Sequence, residues 1–155
     1  MTHTQWQATL RQSLAMVQRT PARALTSLDR LLARVQSEAK TSLGDWHMEQ
    51  TLHVISIVQS HLEDHRRSAD TILQLAHHHE RQQSYHGRAF VSACAIAALE
   101  FASAGDRRAA VRALRGAERR ASELRPKEKL FEKAREVVAS MPGRHSDRSR
   151  RRAAL

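Results

Sequence analysis

The chain has 155 residues, a single cysteine and a formal net charge of +10 at pH 7. This length suits one domain that buries a core without metal ions or disulfides, and one cysteine excludes an intrachain disulfide. No segment approaches the roughly 20 apolar residues that span a bilayer, and the N-terminus lacks the charged and apolar regions of a secretion signal. We therefore expect a cytoplasmic protein without a membrane partner.

The positive charge is concentrated in the last third of the chain. Residues 1–105 hold 10 Lys and Arg against 9 Asp and Glu, whereas residues 106–155 hold 16 against 7. Only four of the 26 basic residues are lysines, a bias that a GC-rich genome produces through codon usage. The arginine count alone is therefore a weak indication of a nucleic-acid partner, whereas its uneven distribution marks a distinct C-terminal part.

Seven helices are predicted from apolar residues that recur every three or four positions. Three prolines and five glycines leave few interruptions, and alternating strand-like runs are missing from the sequence. In chain order, the helices are expected at about 4–18, 21–39, 46–62, 66–82, 87–103 and 106–124, with a seventh that opens at Pro126 and ends before Pro142. The sequence thus predicts an all-α protein.

Capping residues and breakers set these boundaries. Thr20 is a candidate N-cap with Pro21 at the first helical position, and Asp45 is assigned the same capping role for the third helix. Gly105 breaks the chain before the sixth helix, which Asp106 caps. The first six helices are therefore expected to form three hairpins, and the seventh stands alone.

The second helices of these hairpins share a pattern of small and bulky residues. The third set lies 41 residues after the second, and the second lies 45 residues after the first. The sets are Ala24, Leu28 and Leu31, then Ala69, Leu73 and Ala76, then Ala110, Leu114 and Ala117. A period of about 40 residues made of two helices is typical of a helical solenoid. Alanine suits such a repeat because a methyl group lets two helices approach to about 8 Å.

On these residues the chain resembles the tetratricopeptide repeat family, particularly its long-repeat variants such as those of MalT-type bacterial transcription activators. The third hairpin matches most fully, through Ala98, Phe101, Gly105, Ala110, Leu114 and Ala117. Asp64 and Arg19 stand where the turn glycine falls in the second and first hairpins, and the family's Trp and Leu-Gly are missing. The resemblance implies a helical-hairpin solenoid of about three hairpins with the seventh helix as a C-terminal cap. A helical bundle built from the same hairpins is the alternative.

The resemblance also implies a binding surface, because the first helix of each hairpin lines a concave groove in this family. Carried over from the aligned alanines, the groove positions are Trp6, Thr9, Ser13 and Met16, then Thr51, Val54, Val58, His61 and Leu62, then Ser92, Ala95 and Leu99. This set lacks the cationic clamp that holds a peptide carboxylate, so we expect an apolar or helical segment of another protein, or an identical subunit. Alternatively, Val54, Val58 and Leu62 pack as core, because groove and core positions differ by one residue of register.

Arginines in the C-terminal third form a second candidate surface, for a polyanion such as nucleic acid. They are Arg107, Arg108, Arg112, Arg115 and Arg119 in the sixth helix and Arg144, Arg148, Arg150, Arg151 and Arg152 in the tail. Such a surface would bind phosphates without regard to sequence, but the aromatic residues are not interleaved with the arginines as a base-stacking platform requires. The preferred interpretation is a helical domain at 1–141 with a solvated face, followed by a basic, disordered tail at 142–155.

The sequence predicts no catalytic, cofactor or metal site. It lacks a glycine-rich phosphate loop and a nucleophile elbow. His77, His78 and His79 point about 100° apart on a helix, so we interpret them as solvated helix-end residues. Cys94 is expected to be a small buried hydrophobe. The expected function is a non-enzymatic interaction scaffold or adaptor; the alternatives are a basic accessory protein that binds nucleic acid and a tetratricopeptide-type secretion chaperone.

Overall fold

The computed structural model describes residues 1–38, 42–81 and 87–143. These residues form seven helices and no strand: α1 (His3–Met16), α2 (Pro21–Glu38), α3 (Ser42–His61), α4 (His65–Arg81), α5 (Gly87–Ser103), α6 (Arg107–Glu123) and α7 (Lys129–Ser140). The predicted all-α class, helix number and helix order are confirmed. No helix in the described ranges is long and apolar enough to cross a membrane. The tail arginines from Arg144 onward lie outside the described residues.

The helices pack mainly against their neighbours in the chain. α1 packs on α2, α3 on α4 and α5 on α6, and the hairpins meet through contacts of α2 with α3 and of α4 with α5. α7 packs on α5 and less extensively on α6. The predicted arrangement of helical hairpins is therefore confirmed, and from α1 to α6 the main contacts follow the order of the chain, as in a quasi-linear array.

Two of the hairpin turns are built alike. Glu63 has a φ of 61° and Gly105 a φ of 73°, both in the left-handed region. In each case the N–H of the next residue, Asp64 or Asp106, donates to the carbonyl oxygen five residues earlier, at 2.9 and 2.8 Å respectively. Glu63 is therefore the counterpart of the turn glycine. Asp64, to which the sequence assigned that position, is instead the counterpart of the capping residue Asp106.

These turns place α4 and α6 in a register of 42 residues, so the predicted offset of 41 was one residue short. The corresponding buried sets are Ala24, Leu28 and Leu31, then Ser68, Ile72 and Leu75, then Ala110, Leu114 and Ala117. The first member of every set has an exposed fraction of 0%. Ser68 donates a 2.9 Å hydrogen bond to the carbonyl oxygen of Ser56 on α3. A small side chain at this position therefore brings the second helix close to the backbone of the first.

Asp106 caps α6 as predicted. Its carboxylate accepts a 2.9 Å hydrogen bond from the N–H of Ala109, and this bond is the main cause that lowers the pKa of Asp106. The same role predicted for Asp45 was wrong, because α3 begins at Ser42. Asp45 lies within the first turn instead, where a carboxylate interacts favourably with the helix dipole.

α7 begins at Lys129 and not at Pro126 as predicted. Glu128 is its N-cap, with a side chain that accepts a hydrogen bond from the backbone of the second helical residue. Arg88 of α5 holds the segment before it, because its guanidinium lies 3.0 Å from the Glu128 carboxylate and donates to the Pro126 carbonyl at 2.8 Å. A contact distant in sequence thus holds the segment that precedes this helix.

The largest part of the core lies between α4, α5, α6 and α7 and is rich in alanine. Eight alanines have an exposed fraction of 0% there: Ala69, Ala76, Ala95, Ala97, Ala98, Ala110, Ala117 and Ala134. Two smaller clusters, around Trp6 and Leu28, join α1, α2 and α3. Cys94 is buried as predicted, and burial raises the pKa of its thiol to about 12. It is therefore protonated at neutral pH and a poor nucleophile.

Candidate partner groove

An open groove runs between α3 and α5, with α4 as its floor. Its volume is about 380 Å³. It is lined by His53, Ser56, Ile57 and Ser60 of α3, by Ser68, Ile72, Leu75 and His79 of α4, and by Ala89, Ser92, Ala93, Ile96 and Glu100 of α5. Both walls pack on α4, which separates them. The first helices of two consecutive hairpins therefore form the two sides of one concave surface.

Ile57 gives this groove its exposed apolar character. Its side chain is 54% exposed, more than any other large apolar side chain in the described residues. Nearby hydroxyl groups already have partners, since Ser56 donates to the carbonyl oxygen of His53 at 2.7 Å and Ser68 to that of Ser56. A partner that covers Ile57 would therefore remove apolar surface from water without breaking hydrogen bonds within the groove.

Polar groups lie at both ends of the groove. At one end the two carboxylate oxygens of Glu100 lie 2.8 Å from the Ser60 hydroxyl and 2.9 Å from Nδ1 of His65. At the other end Nδ1 of His79 lies 3.3 Å from the Glu49 carboxylate. Since the Glu100 and Glu49 carboxylates both have partners within the protein, the central section remains as the apolar part of the surface.

The groove residues on α3 lie one position before the predicted ones. The observed and predicted residues are His53 and Val54, Ile57 and Val58, and Ser60 and His61. One residue turns a helix by about 100°, which is enough to move a side chain from the groove into the core. Val58 is only 2% exposed and packs with Leu28 and Ile55. The alternative interpretation of Val58 as core is therefore the correct one.

Among the other predicted groove residues, only Ser92 lines the groove. Trp6, Ser13, Thr51 and Ala95 are buried, Thr9, Met16, Val54 and Leu99 are partly buried, and His61 and Leu62 are exposed outside the groove. The indole N–H of Trp6 donates to the Thr51 hydroxyl at 3.1 Å, which joins α1 directly to α3. These two residues therefore hold the first hairpin in place and are not open to a partner.

A cluster of four aromatic rings, which is not predicted from the sequence, also joins α1 to α3. It consists of His3, Trp6, Trp46 and His47, with the Trp6 and His47 ring centroids 4.6 Å apart. Nδ1 of His3 lies 3.0 Å from Nε2 of His47. The pKa of His47 is lowered, mainly because its ring is buried and secondarily because His3 and the N-terminal ammonium lie nearby. The adjacent Trp46-His47 pair was the signal in the sequence that could have indicated this cluster.

The structure describes only the α6 part of the predicted polyanion surface, since the tail arginines lie outside the described residues. Its α6 members, Arg107, Arg108, Arg112, Arg115 and Arg119, are all exposed. Arg119 pairs with Glu123 at 3.6 Å on the helix surface. The neighbouring Arg120 has a structural role, because it binds Glu80 at 2.8 Å and lies 4.7 Å from the centre of the Phe90 ring.

The three consecutive histidines do not share one environment. His78 is only 5% exposed and lies 3.8 Å from Glu49, so its assignment as a solvated residue was wrong. His77 is exposed, 3.6 Å from Glu80. Within the described ranges, no group of three or more His, Cys, Asp or Glu side chains is placed to hold a metal ion.

No protein-family model, curated protein or solved structure matches the chain. A functional assignment therefore depends on the geometry of the groove and on the surfaces around it.

Proposed function

We propose that the protein is a non-enzymatic scaffold or adaptor that binds an apolar helical segment of another protein in the groove between α3 and α5. The observation that carries this proposal is the exposure of Ile57 within an open, mainly apolar groove. The tetratricopeptide resemblance supports it, because the first helices of consecutive hairpins form the binding surface in that family. The proposed site of action is the bacterial cytoplasm.

A helix suits this groove better than an extended peptide. The walls and floor are helices, whose backbone N–H and C=O groups are already paired internally. An extended peptide would bury backbone groups that find few partners here, whereas a helix satisfies its own. A helix whose apolar residues recur at three and four positions would place several of them along the groove. A secretion chaperone would use the same surface and differ only in its partner.

Affinity capture from the source cells, followed by mass spectrometry, tests the proposal with the Ile57→Asp variant. We expect partners bound by the unmodified protein to be lost, because a carboxylate would have to be desolvated beneath the bound helix. The matched control is Leu14→Asp, which introduces the same charge at a leucine that is 43% exposed on α1, outside the groove.

Retention of the same partners by Ile57→Asp and by the unmodified protein would contradict the proposed site. Light scattering tests the remaining alternative, in which an identical subunit occupies the groove. If the unmodified protein is a dimer and Ile57→Asp is a monomer, the groove is occupied by an identical subunit.

A further inference from the structure

A second groove, of about 230 Å³, lies between α6 and α7. Val111 of α6 gives it a partly exposed apolar side chain, and Leu114 of α6 and Val138 of α7, 8% and 4% exposed, lie beneath as a mostly buried floor. Arg107, Arg115 and Arg135 also line it, together with one acidic residue, Glu118. It thus combines an apolar floor with an excess of positive charge, and it shares no residue with the groove between α3 and α5.

This second groove lies where the hairpin pattern stops within the described residues. α1, α3 and α5 each pack against the helix that follows them, whereas no helix follows α7 in the part of the chain that the structure describes. A helix seated across α6 and α7 would cover the apolar floor between these two helices.

The charges around the second groove select the kind of helix that fits. Arg107 and Arg115 are exposed and form no ion pair within the described residues, while Arg135 makes an exposed pair with Glu132 at 3.5 Å. The chain's own residues 144–155 carry five arginines and a single acidic residue, so their charge has the same sign as that of this rim. Carboxylates on either side of an apolar helical stripe would instead complement it.

Nucleic acid fits the second groove less well. Phosphates gain nothing from the apolar floor, and Phe131, the aromatic residue in the lining, is only 3% exposed and therefore inaccessible to a base. We infer that the groove between α6 and α7 docks an amphipathic helix of a partner protein, with acidic residues flanking its apolar face. This surface is independent of the proposed scaffold groove.

The test uses the full chain and a fluorescent synthetic helix with leucines at every third and fourth position and glutamates on both flanks. A second peptide with lysines in place of the glutamates is the matched control. We expect the acidic peptide to bind more tightly, and the Arg107→Glu/Arg115→Glu variant to lower its affinity by about tenfold or more, as two reversed exposed charge interactions would. Val111→Asp should also lower the affinity for the acidic peptide, because it places a charge in the apolar part of the groove.

Control variants make the outcomes distinct. Arg23→Glu/Arg30→Glu makes the same charge change on exposed residues of α2, and it should bind the acidic peptide like the unmodified protein. Ile57→Asp should also leave this binding unchanged, which separates the two grooves. Circular dichroism checks that each variant is folded. Equal binding of both peptides, no binding of the acidic peptide, or tighter binding of a mixed-sequence DNA duplex than of the acidic peptide would overturn the inference.

Discussion

At the scale of single residues, neighbours on α3 face opposite environments. Ile57 is 54% exposed in the partner groove, and Val58 is 2% exposed against Leu28 and Ile55. Both are β-branched and apolar, so residue type does not distinguish their roles. The direction of the side chain does, and that direction changes by about 100° between them.

Identical substitutions at these two positions should therefore have different effects on stability. Val58→Asp should lower the free energy of unfolding by about 4 kcal/mol or more, because it buries an unpaired charge. Ile57→Asp should change it by about 0.5 kcal/mol at most, since the site is open to water. Urea denaturation followed by circular dichroism measures both values. A folded Val58→Asp protein of unchanged stability would show that Val58 is not in the core.

At the scale of helices, small residues decide how closely each hairpin closes. Ala24, Ser68 and Ala110 occupy the same position after their turns, and each has an exposed fraction of 0%. The hydroxyl of Ser68 hydrogen bonds to the backbone of the neighbouring helix. The alanine at position 110 of α6 is therefore required for close packing, independently of the high helix propensity of alanine.

Enlarging this position in α6 should overpack the hairpin. Ala110→Leu is expected to lower the free energy of unfolding by about 1–3 kcal/mol. Gly116→Ala on the same helix is the control, because a Cβ added there meets no atom within 4 Å. That change should stabilise the protein by about 0.5–1 kcal/mol through helix propensity. Thermal denaturation compares the two, and an unchanged midpoint for Ala110→Leu would contradict the close packing.

At the scale of the whole molecule, contacts between successive helices make stability local. α1 packs on α2, and its side chains Trp6 and His3 reach Thr51 and His47 of α3. α5, in contrast, contacts α4, α6 and α7. A disturbance at the first hairpin should therefore open that end of the array without unfolding the rest.

Acid should produce such a disturbance through His47. Because its pKa is lowered in the folded protein, the unfolded chain binds the proton more readily. The stabilising contribution is complete above the ordinary histidine pKa of about 6.5 and is lost as the pH falls from there toward the lowered value. Met1 and Glu38 also lie near this site, joined by an ion pair between the N-terminal ammonium and the carboxylate.

Hydrogen exchange at about pH 7.5 and about pH 5.5 tests this effect, after correction for the intrinsic exchange rates. Peptides from α1 and the start of α3 should lose protection at the lower pH, whereas α5 keeps its protection. His47→Gln should remove most of the pH dependence, because glutamine does not titrate. An equal loss of protection in α1 and α5 would show that the array opens as one unit.

The local sequence pattern was sufficient for the all-α class, the seven helices, their order and the Asp106 cap, because these depend on residues within one or two turns of each other. That consecutive first helices would line a surface was implied by the tetratricopeptide resemblance and not by the local pattern. Tertiary contacts were needed for the register of that surface, since Val54 and Val58 satisfy a helical pattern as well as His53 and Ile57 do. They were also needed for the ring cluster around His47 and for the segment before α7 that Arg88 contacts, because residues distant in sequence provide both sets of contacts.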